Sequence, residues 1–177
     1  MKIAVFCGSS TPHNNEITNA AHELGRRLAD EGHTLVYGGS NLGIMGVVSG
    51  AALEASGFVV GVIPTIFSEE IIRSQPVNEI VRVKSMAERK EYIISNSDAF
   101  IALPGGIGTL DEVLEVMVAN QLKQIDKPIA LFNYNGFFNP FLEQIERMGE
   151  YGFFRQGIKP HIIASTTIDD LLEEIFL

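Results

Sequence analysis

The sequence predicts an α/β fold, a doubly wound parallel sheet with helices on both faces, from three observations. Short, uniformly apolar segments alternate with helix-period segments along the whole chain, as strands covered by crossover helices require. Glycine-rich turns follow three of the apolar segments, at Gly8-Ser9-Ser10, Gly38-Gly39-Ser40 and Pro104-Gly105-Gly106. No linker, repeat or low-complexity tract interrupts the alternation, and 177 residues suit one well-cored domain over 1–177.

Ile3–Phe6 is the first strand-like run, and a loop rich in Ser, Thr, Pro and Asn follows over Gly8–Asn15. Ile17, Ala20, Ala21, Leu24 and Leu28 then share one helical face that ends near Gly32. Thr34–Tyr37 predicts a second strand, and the small-residue stretch from Ile44 to Ala55 a helix stopped by Gly57. Phe58–Ile63 reads as the third strand, closed by Pro64, and Thr65–Asn78 as a loop or lid. Ile80–Val83 is a fourth strand and Met86–Ser95 a helix. Ala99–Leu103 is a fifth strand, followed by a helix from about Thr109 that ends before Lys127-Pro128. Ile129–Phe132 is a sixth strand and a helix lies near Pro140–Gly149. His161–Ala164 with Ile168–Phe176 closes the pattern.

Composition narrows the function. An apolar fraction of 46% argues against disorder, and a formal charge of −9 argues against a nucleic-acid surface or a polybasic membrane anchor. No run approaches the roughly 20 apolar residues a membrane span needs. Cys7 is the only cysteine and the N-terminal run is too short for a signal peptide, so a cytoplasmic protein is expected.

In open α/β sheets ligands sit at the carboxyl ends of strands, so the three glycine turns should gather along one edge. Pro104-Gly105-Gly106-Ile107-Gly108-Thr109 breaks the fifth strand, and Leu110, Val113, Leu114, Met117 and Val118 then follow helical spacing. Such a turn lets backbone N–H groups approach a phosphate at a helix N-terminus. Asp111 and Glu112 fall within the expected first helical turn. Carboxylates there either stabilise the helix dipole or flank the ligand. On the preceding helix, Met86, Arg89, Lys90 and Ile93 share a face, which places two cations on its inward side. They either snorkel or pair with a carboxylate, or they clamp an anion.

Other chemistries fit less well. Cys7-Gly8-Ser9-Ser10 lacks the dinucleotide fingerprint, and Gly38 to Gly43 continues with Ile44-Met45 where a P-loop needs Lys-Ser/Thr. His13, His22, His33 and His161 show no metal-ligand spacing, and the serines lack a nucleophile elbow. Cys7 reads as a buried small residue. Phe132, Tyr134, Phe137, Phe138 and Phe141 read as core or subunit packing. None of the six lysines has a context marking a Schiff base.

Pro104-Gly105-Gly106-x-Gly108-Thr109-x-x-Glu112, with Met86-x-x-Arg89-Lys90 upstream, resembles the paired signature of the LOG ("lonely guy") family. These are cytokinin riboside 5′-monophosphate phosphoribohydrolases, often mislabelled lysine decarboxylases. Val5-Phe6-Cys7-Gly8-Ser9-Ser10 and Tyr37-Gly38-Gly39-x-x-x-Gly43-x-Met45-Gly46 extend the resemblance over nearly the whole chain. It implies a Rossmann-like homodimer that hydrolyses the N-glycosidic bond of a nucleoside 5′-monophosphate, giving adenine or an N6-substituted adenine and ribose 5-phosphate. No metal or redox cofactor is implied. Carried over, Arg89 and Glu112 are the catalytic pair, and Gly105, Gly106, Gly108 and Thr109 hold phosphate and ribose. Lys90, Met86, Gly39 and Ser9 are further substrate contacts. A non-catalytic nucleotide or cofactor carrier on the same fold is the alternative. Ser40, Ala87, Pro12 and Ile17 depart from residues frequent in the family, which leaves the preferred nucleobase and N6 substituent open.

Overall fold

The computed structural model describes residues 1–70, 75–154 and 161–177. Its strands are β1 (Lys2–Phe6), β2 (Thr34–Tyr37), β3 (Phe58–Pro64), β4 (Glu79–Val83), β5 (Ala99–Ala102), β6 (Ile129–Phe132) and β7 (Ile163–Ser165). Between them lie α1 (Asn15–Asp30), α2 (Gly43–Glu54), α3 (Met86–Asn96), α4 (Ile107–Gln121) and α5 (Asn139–Glu150), and α6 (Ile168–Ile175) follows β7. The strands form one sheet in the order β4-β3-β2-β1-β5-β6-β7, with every neighbouring pair parallel.

Strand alternation divides the core into two layers. Ile3, Val5, Leu35 and Tyr37 pack with α1, α2 and α6 through Leu24, Leu28, Ile44, Val48, Leu171 and Leu172. Ala4, Phe6, Val36 and Phe100 face the other way onto α3, α4 and α5, through Ile93, Ile94, Val113, Val116, Met117 and Ile145. Both faces are therefore covered, which explains why the strands are apolar without alternation.

The chain winds outward from β1 to β4, then crosses back to β5 and winds the other way. The switch lies between β1 and β5, joined in register from Ile3 against Ala99 to Phe6 against Ala102. A crevice opens at such a switch beyond the carboxyl ends of the strands, here between the turns that begin at Gly8 and Pro104.

Two element starts differ from expectation by two residues. α4 starts at Ile107, not Thr109, and its N-cap Gly106 makes no side-chain cap bond. β7 covers Ile163–Ser165, shifted toward the C-terminus from His161–Ala164. Of the Thr65–Asn78 stretch, residues 71–74 lie outside those described, and Asn78 ends it by accepting the Val59 N–H at 2.7 Å. Among the described residues no helix is long and apolar enough to cross a membrane.

Candidate active site

A cavity of about 450 Å³ occupies the switch crevice, within the range typical of small-molecule sites. The β1–α1 loop contributes Cys7 to Pro12, α3 contributes Met86, Arg89 and Lys90, and the β5–α4 turn contributes Pro104 to Gly106. From α4 come Gly108, Thr109, Asp111 and Glu112, while Ile17, Ile44, Met45 and Phe137 complete the wall.

The glycines of the β5–α4 turn have separable roles. A Cβ on Gly105 would overlap the Thr109 hydroxyl and stand 3.0 Å from the Gly8 nitrogen, so this glycine lets the two loops close on each other. Cβ atoms on Gly106 or Gly108 would meet nothing within 4 Å. These two glycines keep the space before the start of α4 open, where the Ile107 and Gly108 amides have no carbonyl one turn earlier to bond, while Thr109 donates its N–H to the Gly106 carbonyl at 3.1 Å. An anion fits that position. Across the crevice, the β1–α1 loop lies over the start of α2, where Met45 donates its N–H to the Gly8 carbonyl at 3.2 Å. Gly43, with φ +57°, allows that approach because a side chain would overlap the Ser9–Ser10 peptide.

α3 begins with a double cap. Ser85 Oγ accepts the Glu88 N–H at 3.1 Å, and the Glu88 carboxylate accepts the Lys84 N–H at 2.8 Å. This fixes the helix so that Arg89 and Ile93, one turn apart, both point inward. Arg89 Nη1 donates to Glu112 Oε1 at 2.6 Å, and the two side chains are only 8% and 11% exposed. Lys90, beside it, donates to Asp111 at 2.9 Å and lies 2.5 Å from Glu115. Three ion pairs thus bridge α3 to α4, one inside the pocket wall and two, sharing Lys90, at its rim.

The early start of α4 corrects one expectation. Asp111 and Glu112 lie past the first turn, which holds no acidic residue, so neither is a first-turn dipole stabiliser. Glu112 is buried on the inner face, while Asp111 is exposed and takes the Lys90 ammonium. Burial pushes the Glu112 carboxyl above the ordinary 4.5, and the neighbouring Arg89 charge and hydrogen bond only partly oppose that shift. Such a carboxylate is a stronger proton acceptor than one in water. Bonds to Glu115 and then Asp111 push Lys90 upward, holding it as an ammonium. The Cys7 thiol is also pushed upward, by burial first and then by Glu112, which makes it an inert wall residue.

Of the residues expected at the site, Ser9, Met86, Arg89, Lys90, Gly105, Gly106, Gly108, Thr109 and Glu112 all line the cavity. Gly39 does not. Its φ of +78° and the Ile63 side chain, which a Cβ would overlap, make it a turn glycine packed against β3. Phe137, read from sequence as core or subunit packing, is half-exposed and lies at the pocket wall. It follows a kink at Asn135 and Gly136, with φ of 50° and 72°, that no local pattern announces. Met45 and Ile44 enter through the packing of α2 beneath the first loop. Among the described residues, no group of three His, Cys, Asp or Glu side chains gathers in a way that could hold a metal.

A family model described as "possible lysine decarboxylase" matches residues 45–175. The cytokinin riboside 5′-monophosphate phosphoribohydrolase LOG of Oryza sativa subsp. japonica is 41% identical over 97% of this chain and 71% of its own length. LOG3 of Arabidopsis thaliana, given the same activity, is 38% identical over 98% of this chain and 81% of its own. Among solved structures, a structural-genomics target superposes with a TM-score of 0.76 at 26% identity, covering 99% of both chains. The molybdenum cofactor carrier protein of Chlamydomonas reinhardtii superposes at 0.73 over 99% of this chain and 95% of its own. Its 21% identity speaks to the fold alone.

Proposed function

The chain belongs to the LOG family of cytokinin riboside 5′-monophosphate phosphoribohydrolases, and from that premise we propose that it hydrolyses the N-glycosidic bond of AMP or an N6-substituted AMP. The products are the free nucleobase and ribose 5-phosphate. The observation that carries this reading is the buried Arg89–Glu112 pair beside an open glycine turn at a helix N-terminus.

The 5′-phosphate rests on the leading amides of α4, between Gly106 and Thr109, with Gly105 holding the turn closed against the first loop. The ribose then lies toward Glu112. As the C1′–N9 bond breaks, its electron pair leaves with the nucleobase and positive charge builds on the sugar. The Glu112 carboxylate faces that charge, accepts a proton from the attacking water, and the water oxygen bonds C1′. The proton returns to the departing nucleobase, so the sum is nucleotide plus water giving nucleobase plus ribose 5-phosphate. Arg89, hydrogen-bonded to Glu112 and largely buried, orients the carboxylate and balances its charge. Ser9, Met86 and Lys90 contact the substrate from the rim.

The family description also names a decarboxylase, which as pyridoxal-phosphate chemistry would need a neutral lysine nucleophile. Lys90, the lysine of the pocket wall, is instead held protonated by two carboxylates. A homodimer is the proposed assembly. Leu114 and Val118 on α4, with Leu122 at its C-cap, recur every four residues and stay exposed, an apolar stripe suited to a second copy. The proposed cellular setting is the cytoplasm, with residues 1–177 acting as one nucleotide-binding domain.

Chromatography of AMP incubated with pure protein tests the reading. Adenine and ribose 5-phosphate in equal amounts support it, whereas tight nucleotide binding without turnover supports a carrier instead.

A further inference from the structure

We infer that Gly38 is a positioning residue: the missing side chain at the end of β2 is the seat in which the Arg89 guanidinium lies while it holds Glu112. The inference rests on Arg89 and Glu112 being the working pair. Gly38 is not among the residues with positive φ, so its backbone does not demand glycine. Space does. A Cβ at position 38 would overlap Arg89 Nη2 and stand 3.0 Å from its Cζ and 3.1 Å from Met45 Sδ. Next to it, Gly39 is required by its left-handed backbone and by Ile63, so the two adjacent glycines serve different ends.

The geometry divides the guanidinium between two neighbours. Nη1 donates to Glu112 at 2.6 Å, while Nη2 lies against Gly38. A methyl group at 38 meets the tip of a flexible side chain, which must move by roughly 1.5–2 Å to regain ordinary contact distance. The strand stays in place, but the fork leaves its bond to Glu112. The carboxylate then loses its fixed orientation toward the sugar.

Gly38→Ala, Arg89→Ala and the double variant form the test, read by AMP turnover, thermal unfolding and a crystal structure of Gly38→Ala. The expected result is a folded protein whose thermal midpoint falls by roughly 6–20 °C, as separation of a buried ion pair implies, with turnover read well below that midpoint. A kcat about 100-fold lower with little change in KM is expected, the size of loss a 1 Å misplacement produces. In the Arg89→Ala background, where the seat is vacant, Gly38→Ala adds no further loss. Losses that multiply, or wild-type turnover by Gly38→Ala, overturn the inference. If the parent protein releases no nucleobase, the hydrolase reading falls and the crystal structure decides this one separately. An Arg89–Glu112 separation beyond 4 Å upholds it, and a retained 2.6 Å bond overturns it. If Gly38→Ala does not fold, recovery of folding in the double variant upholds the steric contact, and failure to recover rejects it.

Discussion

Replacing Glu112 by Gln separates the chemistry of the site from its contribution to folding. Gln keeps the shape of the side chain and an oxygen able to accept from Arg89 Nη1, now 2.6 Å from the carboxylate. It cannot take a proton from water or carry charge toward an oxocarbenium-like sugar. Loss of a positioned general base costs about 10²–10⁴ in rate, which is about 3–5 kcal/mol of barrier. Stability responds differently, because two terms oppose. The guanidinium, 8% exposed, loses its counter-charge, while the fold is relieved of a carboxylate that burial disfavours. The net change should stay within about 1–2 kcal/mol, since a hydrogen bond to the charged partner survives. Glu112→Ala instead leaves Arg89 buried without its partner and should cost about 3–5 kcal/mol. Adenine release from AMP and thermal unfolding, measured on both variants, give the comparison. Wild-type turnover by Glu112→Gln removes Glu112 from the mechanism, and a midpoint as low as that of Glu112→Ala makes its lost activity a folding defect.

Burial raises Glu112 above 4.5, so the acid limb of kcat/KM should lie above that value, and Arg89→Ala should move any residual limb higher still. The same shift makes the Glu112 contribution to stability most favourable below 4.5 and progressively lost as pH rises through the folded-state value. The midpoint of Glu112→Gln relative to the parent should therefore rise across that window. Lys90→Met, which breaks rim bridges to partly exposed partners, should cost no more than about 1 kcal/mol of stability. It should raise KM for AMP about fivefold with kcat nearly unchanged, and an equal loss in kcat would place Lys90 in the chemistry. Val118→Asp, at the centre of the exposed α4 stripe, should convert a dimer to monomer by light scattering. An unchanged mass would move the interface elsewhere.

Most of the sheet was legible because its inner strands are buried on both faces, and Ile3–Phe6 or Ile129–Phe132 leave little else for the chain to do. The inward face of α3 was equally legible, since Arg89 and Lys90 continue the stripe that Ile93 and Ile94 bury. What the sequence left open was non-local. Nothing near Arg89 says whether its partner is a ligand or a carboxylate, and it is the packing of α3 against α4 that brings Glu112 to it. Glu115 joins Asp111 on Lys90 for the same reason. The start of α4 was missed because Gly106-Ile107-Gly108 carries no capping side chain and two poor helix formers. Gly38 and Gly39 look alike in sequence, and only the neighbours of each show that one seats a side chain and the other turns the backbone.

The most direct measurement is a crystal structure of Glu112→Gln soaked with AMP. The phosphate should lie on the amides between Gly106 and Thr109, with the side chain of residue 112 about 3–3.5 Å from the water or sugar atoms at C1′. A nucleotide bound elsewhere, or one whose ribose lies beyond reach of residue 112, would contradict it.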